Sequence, residues 1–137
     1  MPVSSNLSTI NIAVRYSETD AMKFVYYANF LVYFEVARTA ALAELGHAYS
    51  EMEKKQVFIP VLAAHCEYLN PAFYGDILSV QTLRWRKGKA RIRFDYLVLR
   101  ETEVLAKGYT EHAFMHPSGK PLRPPQDIIS LFPDYAP

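Results

Sequence analysis

The chain of 137 residues is half hydrophobic and 21% charged, which is the size and composition of one folded domain and excludes a disordered chain. Its formal net charge of +1 provides no extended positive field, so we expect binding to neither nucleic acid nor an anionic membrane. A single cysteine and the lack of an apolar N-terminal stretch predict a cytoplasmic protein without disulfides, organised as one domain over residues 1–137.

The first predicted element is a β-strand over residues 9–16, in which Ile10, Ile12 and Val14 alternate with other side chains. A period of two gives such a strand one buried face. The next residues, S-E-T-D-A-M-K-F-V-Y, form a polar segment followed by an aromatic one and lead into a helix.

That helix is predicted from about Ala28 to Leu45, with Gly46 as its C-terminal stop. Thirteen of its eighteen residues are apolar or tyrosine, so we expect protein to surround it on all sides. Glu35 and Arg38 lie on adjacent turns and predict a structural ion pair, and charges at this depth argue against a membrane span.

Four further strands are predicted, over residues 58–69, 77–86, 90–100 and 104–115. The breakers between them are too short for parallel crossovers, so the strands should pair as antiparallel hairpins and a meander. Two prolines could then open a short terminal helix through Leu131. The plan is α+β, with a curved antiparallel sheet of about five strands wrapped around one long central helix.

The sharpest similarity to a known family lies in residues 15–38, R-Y-S-E-T-D-A-M-K-F-V-Y-Y-A-N-F-L-V-Y-F-E-V-A-R. This segment resembles the hotdog-fold thioesterases, specifically the 4-hydroxybenzoyl-CoA thioesterase and Tol-Pal-associated acyl-CoA thioesterase groups. Secondary matches lie at residues 68–72 and 119–121. The resemblance implies a hotdog fold that hydrolyses an acyl-CoA substrate to free acid and coenzyme A, with no cofactor beyond the coenzyme A of that substrate.

Two positions depart from the family pattern. The family loop after the aspartate usually contains glycine, where this chain has Met22, Lys23 and Phe24. The Tol-Pal-associated group has a histidine where this chain has Tyr27, and a tyrosine there resembles the hydroxybenzoyl-CoA branch.

Asp20 is the candidate catalytic residue. Thioester hydrolysis needs a nucleophile or general base at the carbonyl carbon and donors that stabilise the oxyanion. Asp20 could attack directly to give an anhydride or could deprotonate water, and the sequence does not separate the two routes. A purely structural alternative remains, because S-x-x-D at residues 17–20 also fits a helix-capping box.

Tyr27 and Asn29 complete the candidate catalytic set. By the resemblance, the backbone amide of Tyr27 at the helix start would polarise the thioester carbonyl. Asn29 is interpreted as a positioning residue. Their structural alternatives are a half-buried aromatic residue and a helix N-cap.

Two groups of side chains are predicted to bind the substrate. Phe24, Tyr26 and Phe30 crowd the presumed helix start and should prefer aromatic or medium-to-long acyl groups over acetyl. A basic hairpin that includes the cations Lys87, Lys89 and Arg91 could bind the phosphates of coenzyme A. The alternative for this hairpin is an ordinary solvated surface turn.

No metal site is predicted, because His112 and His116 would lie about 13 Å apart along a strand. Cys66 should be a small buried hydrophobic residue. An unpaired sheet edge predicts a homodimer or a dimer-of-dimers homotetramer.

The alternative function is a non-catalytic acyl-thioester binding module on the same fold. A hydratase is less favoured, since no histidine lies between Val14 and Leu45.

Overall fold

The structure is a computed structural model that describes residues 6–136. Its strands are β1 (Leu7–Ala13), β2 (Val61–Tyr68), β3 (Ile77–Lys87), β4 (Arg91–Arg100) and β5 (Glu103–His112). Its helices are α1 (Asn29–Glu44), α2 (Tyr49–Lys54) and α3 (Gln126–Ile129). All five strands join one antiparallel sheet in the order β1-β3-β4-β5-β2, and α1 packs against it. The predicted α+β plan of five strands and one long helix is therefore confirmed.

The first strand ends earlier than predicted. β1 stops at Ala13, and a 3-10 helix over Tyr16–Glu18 follows it. The reason is local, because the Glu18 carboxylate accepts a hydrogen bond from the Arg15 backbone N–H at 2.9 Å and turns the chain. The short helix α2 has no counterpart among the predicted elements. The terminal helix is present but ends at Ile129, two residues before Leu131.

The predicted pairing of the second strand is wrong. β2 does not form a hairpin with β3 but lies at the far edge of the sheet and pairs with β5, from Val61 opposite His112 to Tyr68 opposite Ala106. Only β3, β4 and β5 form the expected meander. Residues 69–76 therefore cross one end of the sheet, and this crossover becomes a wall of the site described below.

Helix α1 is held on the sheet by close aromatic packing. The Phe34 ring stacks on Tyr96 of β4, with ring centroids 4.2 Å apart. Beneath it, a Cβ on Gly108 would lie 2.1 Å from the His65 carbonyl oxygen and 2.8 Å from the Phe34 ring. Glycine is required there because a Cβ would collide both with the backbone of the neighbouring strand β2 and with the Phe34 ring of α1.

The opposite face of α1 is open, which differs from the expected burial on all sides. Leu31, Val32 and Val36 are 39%, 49% and 45% exposed. The predicted ion pair between Arg38 and Glu35 is present, at 3.7 Å. Within one chain the helix is therefore covered on one side, and an apolar strip of α1 faces outward.

Below α1 lies a buried polar network. Thr110 contacts both the Tyr96 hydroxyl at 2.6 Å and His112 Nε2 at 2.8 Å. His112 Nδ1 also lies 3.3 Å from the Ile59 carbonyl oxygen. These contacts occupy both His112 ring nitrogens, and none of the described residues 6–136 forms a cluster of three or more metal-binding side chains. No described helix is long and apolar enough to span a membrane.

Candidate active site

The loop between β1 and α1 folds back on itself and presents Asp20 at a tight turn. The Asp20 amide donates to the Phe24 carbonyl at 2.9 Å, and the Lys23 amide donates to the Asp20 carbonyl at 2.8 Å. Lys23 adopts a φ of 69°, the left-handed conformation that favours glycine. The loop thus makes a turn suited to glycine although the chain has Met22, Lys23 and Phe24 there.

The two carboxylate oxygens of Asp20 have different environments. Oδ1 accepts a hydrogen bond from the Met22 backbone N–H at 2.9 Å, which closes an Asx turn. Oδ2 accepts no hydrogen bond from any residue in the described range 6–136. The S-x-x-D capping box does not form, since Glu18 takes that role towards Arg15. One oxygen therefore fixes the carboxylate and the other remains open.

The first turn of α1 leaves backbone donors unused. Asn29 N–H bonds to the Tyr26 carbonyl at 2.9 Å, and Phe30 N–H bonds to the Tyr27 carbonyl at 3.2 Å. The amides of Tyr27 and Ala28 have no acceptor within residues 6–136. Unpaired N–H groups at a helix start carry the positive end of the helix dipole. This is the arrangement that binds a carbonyl oxygen as it gains negative charge.

Asn29 ties the loop to the helix. Its side-chain Nδ2 donates to the Glu18 carbonyl at 2.9 Å, and the Tyr26 amide donates to the same oxygen at 2.8 Å. The Glu18 carboxylate in turn accepts from the Tyr33 hydroxyl at 2.9 Å. Ala28 is the N-cap, so the alternative in which Asn29 caps the helix is wrong. The geometry of Asn29 is that of a positioning residue.

A cleft of about 310 Å³ opens between the Asp20 loop, the start of α1 and the end of β2. Its lining is mostly apolar and consists of Asp20, Met22, Phe24, Val25, Tyr27, Phe30, Tyr68, Leu69, Asn70, Pro71 and Ala72. Four predicted site residues therefore meet in one place. Tyr26 does not line this cleft, although its ring packs 4.7 Å from that of Tyr27.

The wall formed by residues 68–72 is the part that sequence reasoning missed. The Ala72 carbonyl accepts from the Val25 amide at 2.8 Å, which fixes the crossover to the Asp20 loop. The Tyr68 hydroxyl donates to the Tyr27 carbonyl at 3.0 Å. The available signal was the secondary family match at these residues, which did not by itself place them beside Asp20.

Cys66 is half-buried rather than fully buried. It lies on β2 near Tyr68, and burial raises the pKa of its thiol. A thiol with a raised pKa is a poor nucleophile at neutral pH, and Cys66 is not among the residues that line the cleft.

The basic hairpin lies at the other end of the sheet from Asp20. β3 begins beside the Asp20 loop and extends for 11 residues to Lys87, which is roughly 35 Å at the usual strand rise. Lys87 pairs with Glu111 on the outer face. Lys89 and Arg91 are exposed and form no ion pair with other residues in the described part of the chain. One chain therefore does not bring the hairpin to the cleft.

Comparisons with known proteins identify the family of the chain. A model of the thioesterase-like superfamily matches residues 14–132. The protein YneP of Bacillus subtilis strain 168 is 48% identical over 77 residues, a match that covers 56% of each chain. A 1,4-dihydroxy-2-naphthoyl-CoA hydrolase of Synechococcus elongatus is 30% identical over 101 residues, covering 72% of this chain and 74% of the relative.

Among solved structures, a DHNA-CoA thioesterase from Staphylococcus aureus is 31% identical. The two structures superpose with a TM-score of 0.81, and the superposition covers 85% of this chain and 80% of the S. aureus chain. The family match over residues 14–132 includes the Asp20 loop, α1 and strands β2 to β5, and it begins directly after β1. The chain therefore belongs to the thioesterase-like superfamily of hotdog-fold proteins and is a thioester hydrolase.

Proposed function

We propose that the protein hydrolyses an acyl-CoA thioester to a free acid and coenzyme A in the Asp20 cleft. The observation that carries the proposal is one apolar cleft lined by both Asp20, which has a carboxylate oxygen without a hydrogen bond, and Tyr27, whose amide and that of the next residue, Ala28, are unbonded. Those two elements are what thioester hydrolysis requires. Two of the relatives described above are named for hydrolysis of a coenzyme A thioester, which supports the same substrate class.

In the proposed reaction, the thioester oxygen accepts hydrogen bonds from the Tyr27 and Ala28 amides. Asp20 Oδ2 then either attacks the carbonyl carbon or removes a proton from a water that attacks it. The first route expels coenzyme A thiolate and leaves a mixed anhydride, which water cleaves to restore Asp20. The second gives a tetrahedral oxyanion that collapses with the same leaving group, and the proton held by Asp20 is released with the products. In both routes the amides stabilise the negative charge on oxygen.

The cleft walls favour a large apolar acyl group. Phe24, Phe30, Tyr68 and Leu69 present rings and an aliphatic side chain to the cleft. Each Å² of ligand surface removed from water contributes about 25 cal/mol, so acetyl would gain little from these walls. We therefore expect aromatic or medium-to-long acyl-CoA to give a higher kcat/KM than acetyl-CoA. Equal kcat/KM for acetyl-CoA and benzoyl-CoA would contradict this preference.

A homodimer formed along β2 is part of the proposal. β2 is an edge strand, and its Val61 and Leu62 are 47% and 48% exposed. Leu31 and Val32 of α1 line a shallow cleft together with Val61, so the open strip of the helix adjoins this edge. A second copy that pairs there would extend the sheet and cover both surfaces. Two such dimers could form the predicted tetramer.

The same pairing gives the basic hairpin a route to the substrate. If β2 pairs antiparallel with β2 of a second copy, the sheets of the two chains run in opposite directions. The basic hairpin of the second chain would then lie at the same end of the joined sheet as Asp20 of the first chain, where the coenzyme A phosphates would leave the cleft. Of its cations, Lys89 and Arg91 are available for phosphate, whereas Lys87 is engaged by Glu111. A role for the hairpin thus depends on the dimer.

The experiment that tests the function is thiol release by the wild type and by Asp20→Asn over a panel of acetyl-, benzoyl-, decanoyl- and palmitoyl-CoA. Asparagine keeps the oxygen that accepts from Met22, so the Asx turn and the fold should survive. An amide is neither a base near neutral pH nor a nucleophile that forms an anhydride. We expect kcat on the best substrate to fall by about 10²–10⁴.

The matched control is Asp127→Asn, the same change at an exposed carboxylate on α3, and it should keep full activity. Melting temperature and acyl-CoA affinity are measured beside turnover. A folded Asp20→Asn protein with more than about a tenth of wild-type kcat would exclude Asp20 as base or nucleophile. Ligand binding without thiol release by the wild type would instead favour the non-catalytic binding module.

A further inference from the structure

The Tyr68 hydroxyl makes a hydrogen bond that the mechanism above does not use. It donates to the Tyr27 carbonyl at 3.0 Å and so links the end of β2 to the start of α1. The same carbonyl oxygen accepts a hydrogen bond from the Phe30 amide at a longer N···O distance of 3.2 Å. Tyr68 is therefore the nearer of two donors to the peptide that joins Tyr27 to Ala28.

We propose that Tyr68 is a positioning residue for thioester hydrolysis, which holds and polarises the Tyr27–Ala28 peptide so that the Ala28 amide donates to the substrate carbonyl. This inference rests on the proposed function. The C=O and N–H of a trans peptide point in opposite directions, so a donor fixed on the Tyr27 oxygen directs the Ala28 N–H away from it. A hydrogen bond to the oxygen of a peptide also strengthens the bond that its N–H can donate.

The Tyr68 ring is held in place independently of its hydroxyl. It packs edge-on against Phe30 at 5.4 Å and against Tyr27 at 6.2 Å between ring centroids. Its backbone is paired with Ala106 in the sheet. Partial burial, as the larger cause, and the nearby Cys66 thiol, as the smaller one, raise the pKa of Tyr68 to about 12. At neutral pH the hydroxyl therefore keeps the proton that it donates.

The test is Tyr68→Phe, which removes the hydroxyl and leaves the ring contacts. We expect about a tenfold fall in kcat, less than the 10²–10³ lost with a direct oxyanion donor, because the Ala28 amide remains but is less well aimed. KM should stay within about twofold, since the loss falls on the transition state. Tyr74→Phe is the matched control, at a tyrosine that is 65% exposed and outside the cleft, and it should retain wild-type kcat.

A second readout separates positioning from stability. The infrared stretch of the thioester carbonyl is recorded for benzoyl-CoA bound to Asp20→Asn, in which the substrate stays intact, and to the double variant Asp20→Asn with Tyr68→Phe. Weaker polarisation should move the band to higher wavenumber in the double variant. A purely structural Tyr68 would lower the melting temperature but leave kcat and the band where they are.

These outcomes distinguish the inference from the function on which it rests. Full activity and an unmoved band in Tyr68→Phe, together with an inactive Asp20→Asn, would overturn the role of Tyr68 and leave the proposed function standing. No thiol release by the wild type would overturn both. A lower kcat with a shifted band supports the positioning role.

Discussion

The side chain of His112 lies fully buried beneath α1. Burial, and then the nearby Arg38 cation, lower its pKa from 6.5 to about 4. In the folded protein His112 is thus neutral at pH 7 and stays neutral well into mild acid. In the unfolded chain it gains a proton near its ordinary pKa, so the unfolded state binds more protons between about pH 6.5 and 4.

The sign and size of the effect follow from this difference. Because the folded pKa is depressed, the contribution of His112 is fully present above pH 6.5 and is lost as the pH falls towards 4. The pKa falls from 6.5 to about 4, and each tenfold change in proton affinity is worth about 1.4 kcal/mol, so His112 contributes about 3 kcal/mol to the free energy of unfolding. About 2 kcal/mol of this contribution should be lost by pH 5.

The assay is urea unfolding at several values between about pH 7.5 and 5, at one fixed protein concentration because an oligomer would add a concentration term. This window avoids Glu18 and Glu111, whose pKa values are lowered below 4.5 and whose contributions are lost at lower pH. The His112→Gln variant should have a lower free energy of unfolding at pH 7, and this free energy should vary less with pH than in the wild type. In His116→Gln, a change in the turn after β5, the free energy of unfolding should vary with pH as it does in the wild type. The same pH dependence of the unfolding free energy in the wild type and in His112→Gln would refute the reasoning.

Three further predictions test packing, assembly and substrate binding. Gly108→Ala should destabilise the protein by about 3 kcal/mol or more in urea unfolding, because the added methyl would lie 2.1 Å from the His65 carbonyl oxygen. Val32→Lys should convert the proposed dimer to monomers in sedimentation at micromolar concentration, and a monomeric wild type would contradict the interface. Lys89→Ala and Arg91→Ala should each raise KM for acyl-CoA with little change in kcat, whereas an unchanged KM in both would leave the hairpin as ordinary surface.

Local patterns in the sequence predict much of the fold. The bounds of α1 fall within one residue of the prediction at each end, because Gly46, with a φ of +86°, provides a clear stop after the apolar run. β3, β4 and β5 follow from alternating residues between short breakers. Helix α2 is missed because Tyr49–Lys54 is a six-residue element with one fully buried side chain, Met52, too short to show a helical period.

The position of β2 could not be read from local pattern. Its alternation is that of any strand, and pairing with β5 joins residues far apart in the chain, such as Cys66 and Gly108. The link over residues 69–76 contains an Asn-Pro breaker and is short enough for a hairpin, so it fits the wrong pairing equally well. Since that link forms a wall of the cleft, the error in topology also hid Tyr68 and its neighbours from the predicted site.

The S-x-x-D capping box does not form, but Asp20 still has a structural role, because it closes the Asx turn with Met22. This turn-closing role and a catalytic role would compete only if they needed the same carboxylate oxygen, and here they need different ones. Oδ1 is used by the Met22 amide, which fixes the direction of the carboxylate, and Oδ2 is left open beside the cleft. A fixed carboxylate loses less freedom when it reacts, so the Asx turn favours catalysis by Asp20. Asp20→Asn separates the roles because it keeps the oxygen that closes the turn and removes the oxygen that would react.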